Sequence, residues 1–458
     1  MTRDETTRRA LLRGAGAAAL ALPLAGCASD DSGTPSQDGS PSTNATPSGT
    51  PTGTPAASTD GRSVSDARTI YQYYHTDWTE ITETLPTLAA QGYDTIQVPP
   101  AQHSRIYERE QDENNQPPLG YQPIDLQNFD SEFGTEAEYE EMIATAHENG
   151  IEVIADAVAN HMAAGDTYFE RRVTVEDLPQ FTEDDFHESC SIDYQDPESV
   201  ENCWLLGLRD LDQSQDDVNE HLRNYIEKYA NLGADGIRWD GVKHIPESWF
   251  SDHGEVWADE LGLYTLGEVF DDRVDTVLPY TETGMSTATD YPLYNRMQTA
   301  FDTYPSGDLT ALDGPSVHAR RPEKALTFVA NHDSGPADLQ ELAYAYILTQ
   351  ESDARVYSGV VPVEDDAIST LIDVRNGVTA TTSTRHELTR TELCYEWDGD
   401  LLVAFNVGAD PVSLDVTTDF ADTTLTDATD TGDDVEVGSD GAVTVDVPPE
   451  EYVCYREA

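Results

Sequence analysis

The sequence predicts an α/β protein: a (β/α)8 barrel with a short inserted domain after its third strand and a C-terminal antiparallel β-sandwich. Three observations predict it. Strand and helix patterns alternate over roughly 300 residues, which means a parallel sheet, and at that length a closed barrel is favoured over an open doubly wound one. Neither a G-x-G-x-x-G run nor a phosphate-binding G-x-x-x-x-G-K run opens a helix, so a nucleotide-binding fold has no support. Beyond residue 376 the texture changes to short β-forming segments separated by Asp, Gly and Asn turns.

The elements follow in chain order. Residues 1–27 read as an export signal. Thr7-Arg8-Arg9-Ala10-Leu11-Leu12-Arg13 is a twin-arginine pattern, and the mild apolar stretch 14–24 is too short to span a bilayer. Leu24-Ala25-Gly26-Cys27 is similar to a lipobox, which predicts lipidation of Cys27. Residues 28–62 are Ser, Thr, Pro, Gly and Asp with almost nothing apolar, a composition that predicts a disordered tether. The barrel is expected over 63–161 and 210–375, interrupted by an insert at 162–209. Strands are predicted at 69–74, 95–98, 151–155, 236–239, 264–267, 325–329 and 355–357. A helix is predicted over 78–91. Thr135-Glu136-Ala137-Glu138 is a capping box, with Tyr139, Met142, Ile143 and Ala146 behind it at helical spacing and Gly150 as the stop. Val218, Leu222, Tyr225, Ile226 and Tyr229 form another helical stripe. In the last domain, 376–458, strands are predicted at 391–397, 401–407, 412–416, 442–447 and 452–455.

Charge narrows the function classes. Against 25 Lys+Arg stand 88 Asp+Glu, a net charge of −63, and only Lys228, Lys243 and Lys324 are lysines. No basic face can form to meet nucleic-acid phosphates or anionic lipid. The acids are spread along the whole chain, which predicts a carboxylate shell suited to strong brine, where salt screens self-repulsion. The five cysteines are an odd number. Setting Cys27 aside leaves Cys190, Cys203, Cys394 and Cys454, which in an exported chain suggest two disulfides. Cys190–Cys203 with Cys394–Cys454 is the simplest of three connectivities.

The chemistry sits at predicted strand ends. Four of them carry polar clusters: Asp156-Ala157-Val158-Ala159-Asn160-His161, then Arg238-Trp239-Asp240-Gly241-Val242-Lys243-His244, then Glu268, and finally Asn331-His332-Asp333. One such cluster is ordinarily a helix cap or a turn. Four of them, three pairing a carboxylate with Arg or His, point instead to a barrel active site, which is built from the C-terminal ends of several strands. Carboxylates converging with cations suggest glycoside cleavage, one attacking the anomeric carbon and another passing the proton. Arg238 is two residues before Asp240, so both face one side of the strand, and its charge favours an ionised Asp240. Glu268, after apolar Leu266 and Gly267, is the better placed to hold its proton.

These clusters resemble, in order, the four signature regions of the α-amylase family of retaining glycoside hydrolases, built on the TIM barrel. Residues 92–100 resemble that family's second strand, and Gly207-Leu208-Arg209-Asp210-Leu211-Asp212 its motif at the end of the inserted domain. The run from Cys190 to Cys203, then 208–211, is most similar to animal-type α-amylases. The resemblance implies Asp240 as nucleophile, Glu268 as general acid/base and Asp333 as the carboxylate that grips sugar hydroxyls. It implies that Asp156, His161, Arg238 and His332 line the cleaved sugar's subsite, that Tyr121 stacks on that sugar, and that Lys243 and His244 meet the leaving-side sugar. It further implies a structural Ca²⁺ held by Asn160, Asp210 and the His244 carbonyl, and Cl⁻ held by Arg238, Asn331 and Arg355. Where animal-type enzymes carry a Trp-Trp pair before the stacking Tyr, this chain has Gln116-Pro117-Pro118-Leu119-Gly120, and its insert is short.

The function expected is therefore an extracellular, monomeric, endo-acting α-1,4-glucan hydrolase acting on starch or maltooligosaccharides, tied to the membrane only through a lipid. A glucosyltransferase or maltogenic exo-enzyme of the same family would use the same residues. A cell-surface glucan-binding protein without catalysis is the alternative of another class, and Asp240, Glu268 and Asp333 count against it.

Overall fold

A computed structural model describes residues 61–105, 119–165 and 173–457. The twin-arginine pattern, Cys27, most of the tether and Gln116-Pro117-Pro118 lie outside the described residues. Eight strands are all parallel: β1 Thr69–Gln72, β2 Thr95–Val98, β3 Glu152–Ala157, β4 Gly236–Trp239, β5 Tyr264–Gly267, β6 Thr287–Thr289, β7 Ala325–Phe328 and β8 Asp353–Tyr357. Each lies beside the next, and β1 pairs with β8 at Ile70↔Arg355, closing the barrel. Ile70, Ile154, Leu266 and Leu326 cluster inside it. They come from β1, β3, β5 and β7, so one interior layer takes a side chain from every second strand, as the stagger of a tilted barrel requires. The sequence reading missed β6, whose three residues Thr-Ala-Thr carry no apolar run.

The helices form as their patterning dictates. Helix α1 (Trp78–Ala90) buries Trp78, Ile81, Leu85 and Leu88. Helix α2 (Glu136–Glu148) begins with the predicted capping box: the Glu138 amide donates to Thr135 Oγ1 at 3.3 Å and the Thr135 amide to Glu138 Oε2 at 2.8 Å. Helix α3 (Asp216–Asn231) turns the stripe from Val218 to Tyr229 onto the barrel. The insert is tied at its neck, where His161–Met162 pairs antiparallel with Arg209–Asp210. The expected Cys190–Cys203 disulfide is present, with Cα atoms 4.9 Å apart.

The C-terminal region is antiparallel, as expected. Strands β9 (Ser383–Leu388), β10 (Glu392–Trp397), β11 (Leu401–Asn406), β12 (Val412–Thr417), β13 (Thr423–Asp427), β14 (Val435–Val437), β15 (Ala442–Val447) and β16 (Glu451–Glu457) form a six-stranded sheet, β9-β10-β11-β16-β13-β14, and a β12-β15 pair. Leu414, Val443, Val445 and Val447 of that pair pack with Leu402, Ala404 and Val453 of the sheet.

One expectation is corrected: Cys394 and Cys454 are free thiols, both buried. Strand β11 lies between them, with Cys394 opposite Ala404 and Cys454 opposite Val403. Two strand spacings make about 9.6 Å, beyond the ~7 Å that a disulfide tolerates between Cα atoms. Neighbouring residues 403 and 404 also point to opposite faces, so Cys454 packs in the core shared with the barrel and Cys394 in the core under β12 and β15.

Candidate active site

The parallel register sets Asp156 of β3 opposite Arg238 of β4, and Arg238 opposite Leu266 of β5. A long guanidinium at that position reaches carboxylates on both sides. Arg238 Nη1 lies 2.8 Å from Asp156 Oδ1 and 2.6 Å from Asp240 Oδ1, and Nη2 lies 3.1 Å from Glu268 Oε2. The planar fork of arginine suits this, since it holds two nitrogens apart at fixed angles, one toward Asp156 and Asp240 and the other toward Glu268. Arg238 and all three carboxylates are buried. Gly241, directly after Asp240, has φ +59°, the left-handed conformation that glycine takes without penalty. Its amide donates to Glu268 Oε2 at 3.0 Å, and the Tyr291 hydroxyl donates to Oε1 at 3.4 Å.

Burial pushes the Glu268 carboxyl above the usual range, against the pull of Arg238 and with help from Asp240. That is the state expected of a proton donor. Asp333 stands at the cleft mouth with 43% of its side chain open. The protein around that mouth still removes enough water to push its pKa up to about 7, with the charge of Glu268 adding to the shift. Burial likewise raises Asp156 to about 7, opposed by Arg238.

A wall of rings borders these groups. The Tyr121 hydroxyl donates to Asp156 Oδ2 at 2.6 Å, and its ring stacks on His332 with centroids 5.2 Å apart. Gln72 Nε2 donates to His332 Nδ1 at 3.1 Å, leaving the proton on Nε2 to reach Asp333 Oδ2 at 3.1 Å. Burial, with the charges of Arg238 and Arg355, keeps His332 neutral. His161 is fixed the same way: Asn160 Nδ2 donates to its Nδ1 at 3.3 Å, and its Nε2 donates to the Tyr121 carbonyl at 3.0 Å.

Lys243 and His244 follow on a single 3-10 turn, 242–244. The Lys243 ammonium donates to the Phe270 carbonyl and lies 5.5 Å from the ring centres of both Tyr194 and Phe270. His244 Nδ1 donates to the Val200 carbonyl of the insert at 3.0 Å, and burial lowers its pKa to about 4.

Two further sets suit ions. Among the described residues no group of three or more His, Cys, Asp or Glu is arranged to hold a metal. Asn160 Oδ1 and Asp210 Oδ1, however, are buried acceptors without a donor. Leu211 donates its amide to the Asn160 carbonyl at 2.9 Å, which brings the two residues together at the neck of the insert. Buried oxygens lacking donors fit a hard cation. The sequence reading missed His187, whose Nδ1 donates to the other Asp210 oxygen at 2.7 Å.

The second set is cationic. Arg355 Nε and Nη2 and Arg238 Nε are buried donors without an acceptor. Arg355 Nη1 meets the neutral Gln97 Oε1 at 3.2 Å, and no carboxylate pairs with Arg355 among the described residues. Burial and the charge of Arg238 lower the Arg355 pKa. Asn331 Nδ2 donates to the Tyr291 hydroxyl at 2.9 Å. Orphaned N–H groups on two neighbouring guanidiniums fit an anion. Gln72, Tyr74, Gln97 and Tyr291 were not predicted. Gln72 and Gln97 were findable, since each is a polar residue near the C-terminal end of a barrel strand.

A closed parallel barrel whose strand ends gather carboxylates about one arginine offers the paired carboxyl groups that glycoside cleavage requires. Residues 48–334 match the α-amylase catalytic domain and residues 401–456 the α-amylase C-terminal domain, and the chain belongs to the α-amylase family. It is 30% identical over 299 residues to an α-amylase of Hypothenemus hampei, covering 60% of this chain and 58% of that relative. It is 27% identical over 338 residues to an α-amylase of Aeromonas hydrophila, covering 63% and 70%. The chain thus spans less than two thirds of the length of the insect relative. In fold it is similar to the α-amylase of Geobacillus thermoleovorans complexed with acarbose, with TM-score 0.71, 19% identity, and 87% and 99% of the two chains covered. An α-amylase of Malbranchea cinnamomea gives 0.72, 20%, 85% and 96%.

Proposed function

We propose that the protein is an extracellular, endo-acting α-1,4-glucan hydrolase that works by retaining double displacement. The observation that carries this is the Arg238 fork, which holds Asp156, Asp240 and Glu268 together. In this reading the Asp240 carboxylate attacks the anomeric carbon while Glu268 gives its proton to the leaving oxygen. A glycosyl ester forms on Asp240. Glu268, now ionised, takes a proton from water, which attacks the same carbon and frees Asp240. Asp333, at the mouth and partly protonated near neutral pH, hydrogen-bonds sugar hydroxyls. Tyr121 and His332 provide the ring face for the cleaved sugar, and Asp156 holds Tyr121 through its hydroxyl. Lys243 and His244 stand on the leaving side.

Asn160 and Asp210, with the His244 carbonyl, would hold Ca²⁺, which when bound cross-links the barrel to the insert. Arg355, Arg238 and Asn331 would hold Cl⁻, which when bound offsets the two guanidinium charges. The N-terminal pattern and Cys27 support twin-arginine export with lipid anchoring, and the acidic composition supports work in strong brine by a monomer. Starch digestion followed by product chromatography tests the activity. Mixed-length maltodextrins are expected; a single maltose-like product or lengthened chains would replace this reading by the exo-enzyme or the transferase, and no turnover by the glucan-binding protein.

A further inference from the structure

Beyond β1 the chain runs through Tyr73 and Tyr74 to His75, whose φ of 51° lies in the left-handed region. A non-glycine residue holds that conformation only where its surroundings impose it. Here it lays the imidazole on Tyr74, with centroids 3.9 Å apart and planes 16° from parallel. Tyr74 stacks on His332 at 4.8 Å and 12°, and His332 on Tyr121 at 5.2 Å and 28°. Four rings therefore form a column from His75 to Tyr121. The other edge of the His75 ring is also engaged: Nε2 accepts the Leu119 amide at 3.0 Å. An amide N–H can only donate, so this nitrogen carries no proton. Burial agrees, lowering His75 to about 4.

Leu119 begins the segment that presents Tyr121. The far flank of that segment is fixed separately. The Gly120 carbonyl accepts from Gln102 Nε2 at 2.6 Å and Ser104 Oγ at 2.9 Å, and the Gln122 carbonyl accepts from the Arg105 amide at 2.9 Å. On the side of β1 the hydrogen bond is to His75.

We infer that His75 is a positioning residue: by accepting the Leu119 amide it seats residues 119–122 so that Tyr121 meets the sugar, and it thereby sets substrate affinity. This rests on the reading of the cleft as a glucan subsite. Without the bond a fraction of molecules has the segment unseated, and substrate must reseat it. Apparent affinity falls by that fraction, while bound enzyme reacts normally.

Two variants separate acceptance from stacking. His75→Gln places an amide oxygen near the position of Nε2, and His75→Phe keeps a ring without an acceptor. On a chromogenic maltooligosaccharide, His75→Phe should raise KM by about two- to fivefold, the upper figure being the full worth of one hydrogen bond, with kcat within about twofold. His75→Gln should stay near wild type. Amide deuterium exchange over 119–122 should quicken in the Phe variant, stay slow in the Gln variant, and be unchanged elsewhere in both. A Gln variant as impaired as the Phe variant, or a Phe variant with unchanged KM and exchange, overturns the proposal. Should the Phe variant not fold, the Gln variant decides alone: wild-type KM and exchange support the role, and a raised KM overturns it. Failure of wild-type protein to turn over the substrate removes the glucan reading, and exchange at Leu119 still reports on the anchor.

Discussion

Replacing Arg355 by Ala should abolish a specific response to chloride. Three buried guanidinium donors, Arg355 Nε and Nη2 and Arg238 Nε, have no acceptor. Each costs about 1–3 kcal/mol while unsatisfied, so an anion that meets them binds with a margin of several kcal/mol. At a hundred times its Kd, chloride would stabilise the native state by about 2.7 kcal/mol. At about 2.1 cal/mol/K per residue, a chain of 458 residues has an unfolding entropy of roughly 1 kcal/mol/K, so Tm should rise by about 3 °C. A second response follows from Glu268. Its pKa is raised by burial and pulled down by Arg238 and Arg355. A chloride between the arginines offsets that pull, so Glu268 keeps its proton to higher pH and the basic limb of the kcat profile moves up. Arg355→Ala removes the same positive charge, so its basic limb should already be displaced upward and should ignore chloride. Tm and kcat against pH should be measured for both proteins in chloride and in sulfate at equal ionic strength. General screening and the exclusion of sulfate from protein surface act on both proteins and cancel in the double difference. Equal responses of wild type and variant would refute the anion site.

Three other outcomes follow, two from the same geometry and one from the N-terminal sequence. Asp240→Asn should lose several orders of magnitude in kcat while keeping its fold and starch affinity, because groups that act as a unit fail together; activity within about tenfold of wild type would remove Asp240 from the role. EDTA in high salt should lower Tm and added Ca²⁺ restore it, since Asn160 and Asp210 hold oxygens without donors; an unchanged Tm after verified metal removal would reject the cation. Cys27→Ser should release folded protein into the medium, and continued membrane retention would contradict lipid anchoring.

Much of the fold was legible because local signals agreed with it. The capping box at Thr135, the stripe from Val218 to Tyr229 and the strands read at 151–155, 236–239 and 264–267 each specify one element. The site was legible because its residues fall at those strand ends. What escaped lacks a local pattern. Strand β6 is Thr-Ala-Thr, β9 and β13 are mostly polar and β14 has three residues, so their pairing is decided by neighbouring strands. The Cys394–Cys454 pairing failed because disulfide connectivity depends on strand order and facing, which spacing along the chain does not encode. His75, Gln72, Tyr291 and His187 act through partners between 23 and 260 residues away. The closed barrel brings the first three together with their partners, and the folded insert brings His187 to Asp210.

The proposed roles of Glu268 as proton donor and Asp240 as nucleophile make a stereochemical demand. Two displacements at one carbon restore its configuration. The direct measurement is the anomeric form of the first product released from a maltooligosaccharide, followed by NMR before mutarotation sets in. The α-anomer should accumulate first and decay toward the equilibrium mixture. Initial β-anomer would mean a single displacement by water, and with it Asp240 could not be the nucleophile.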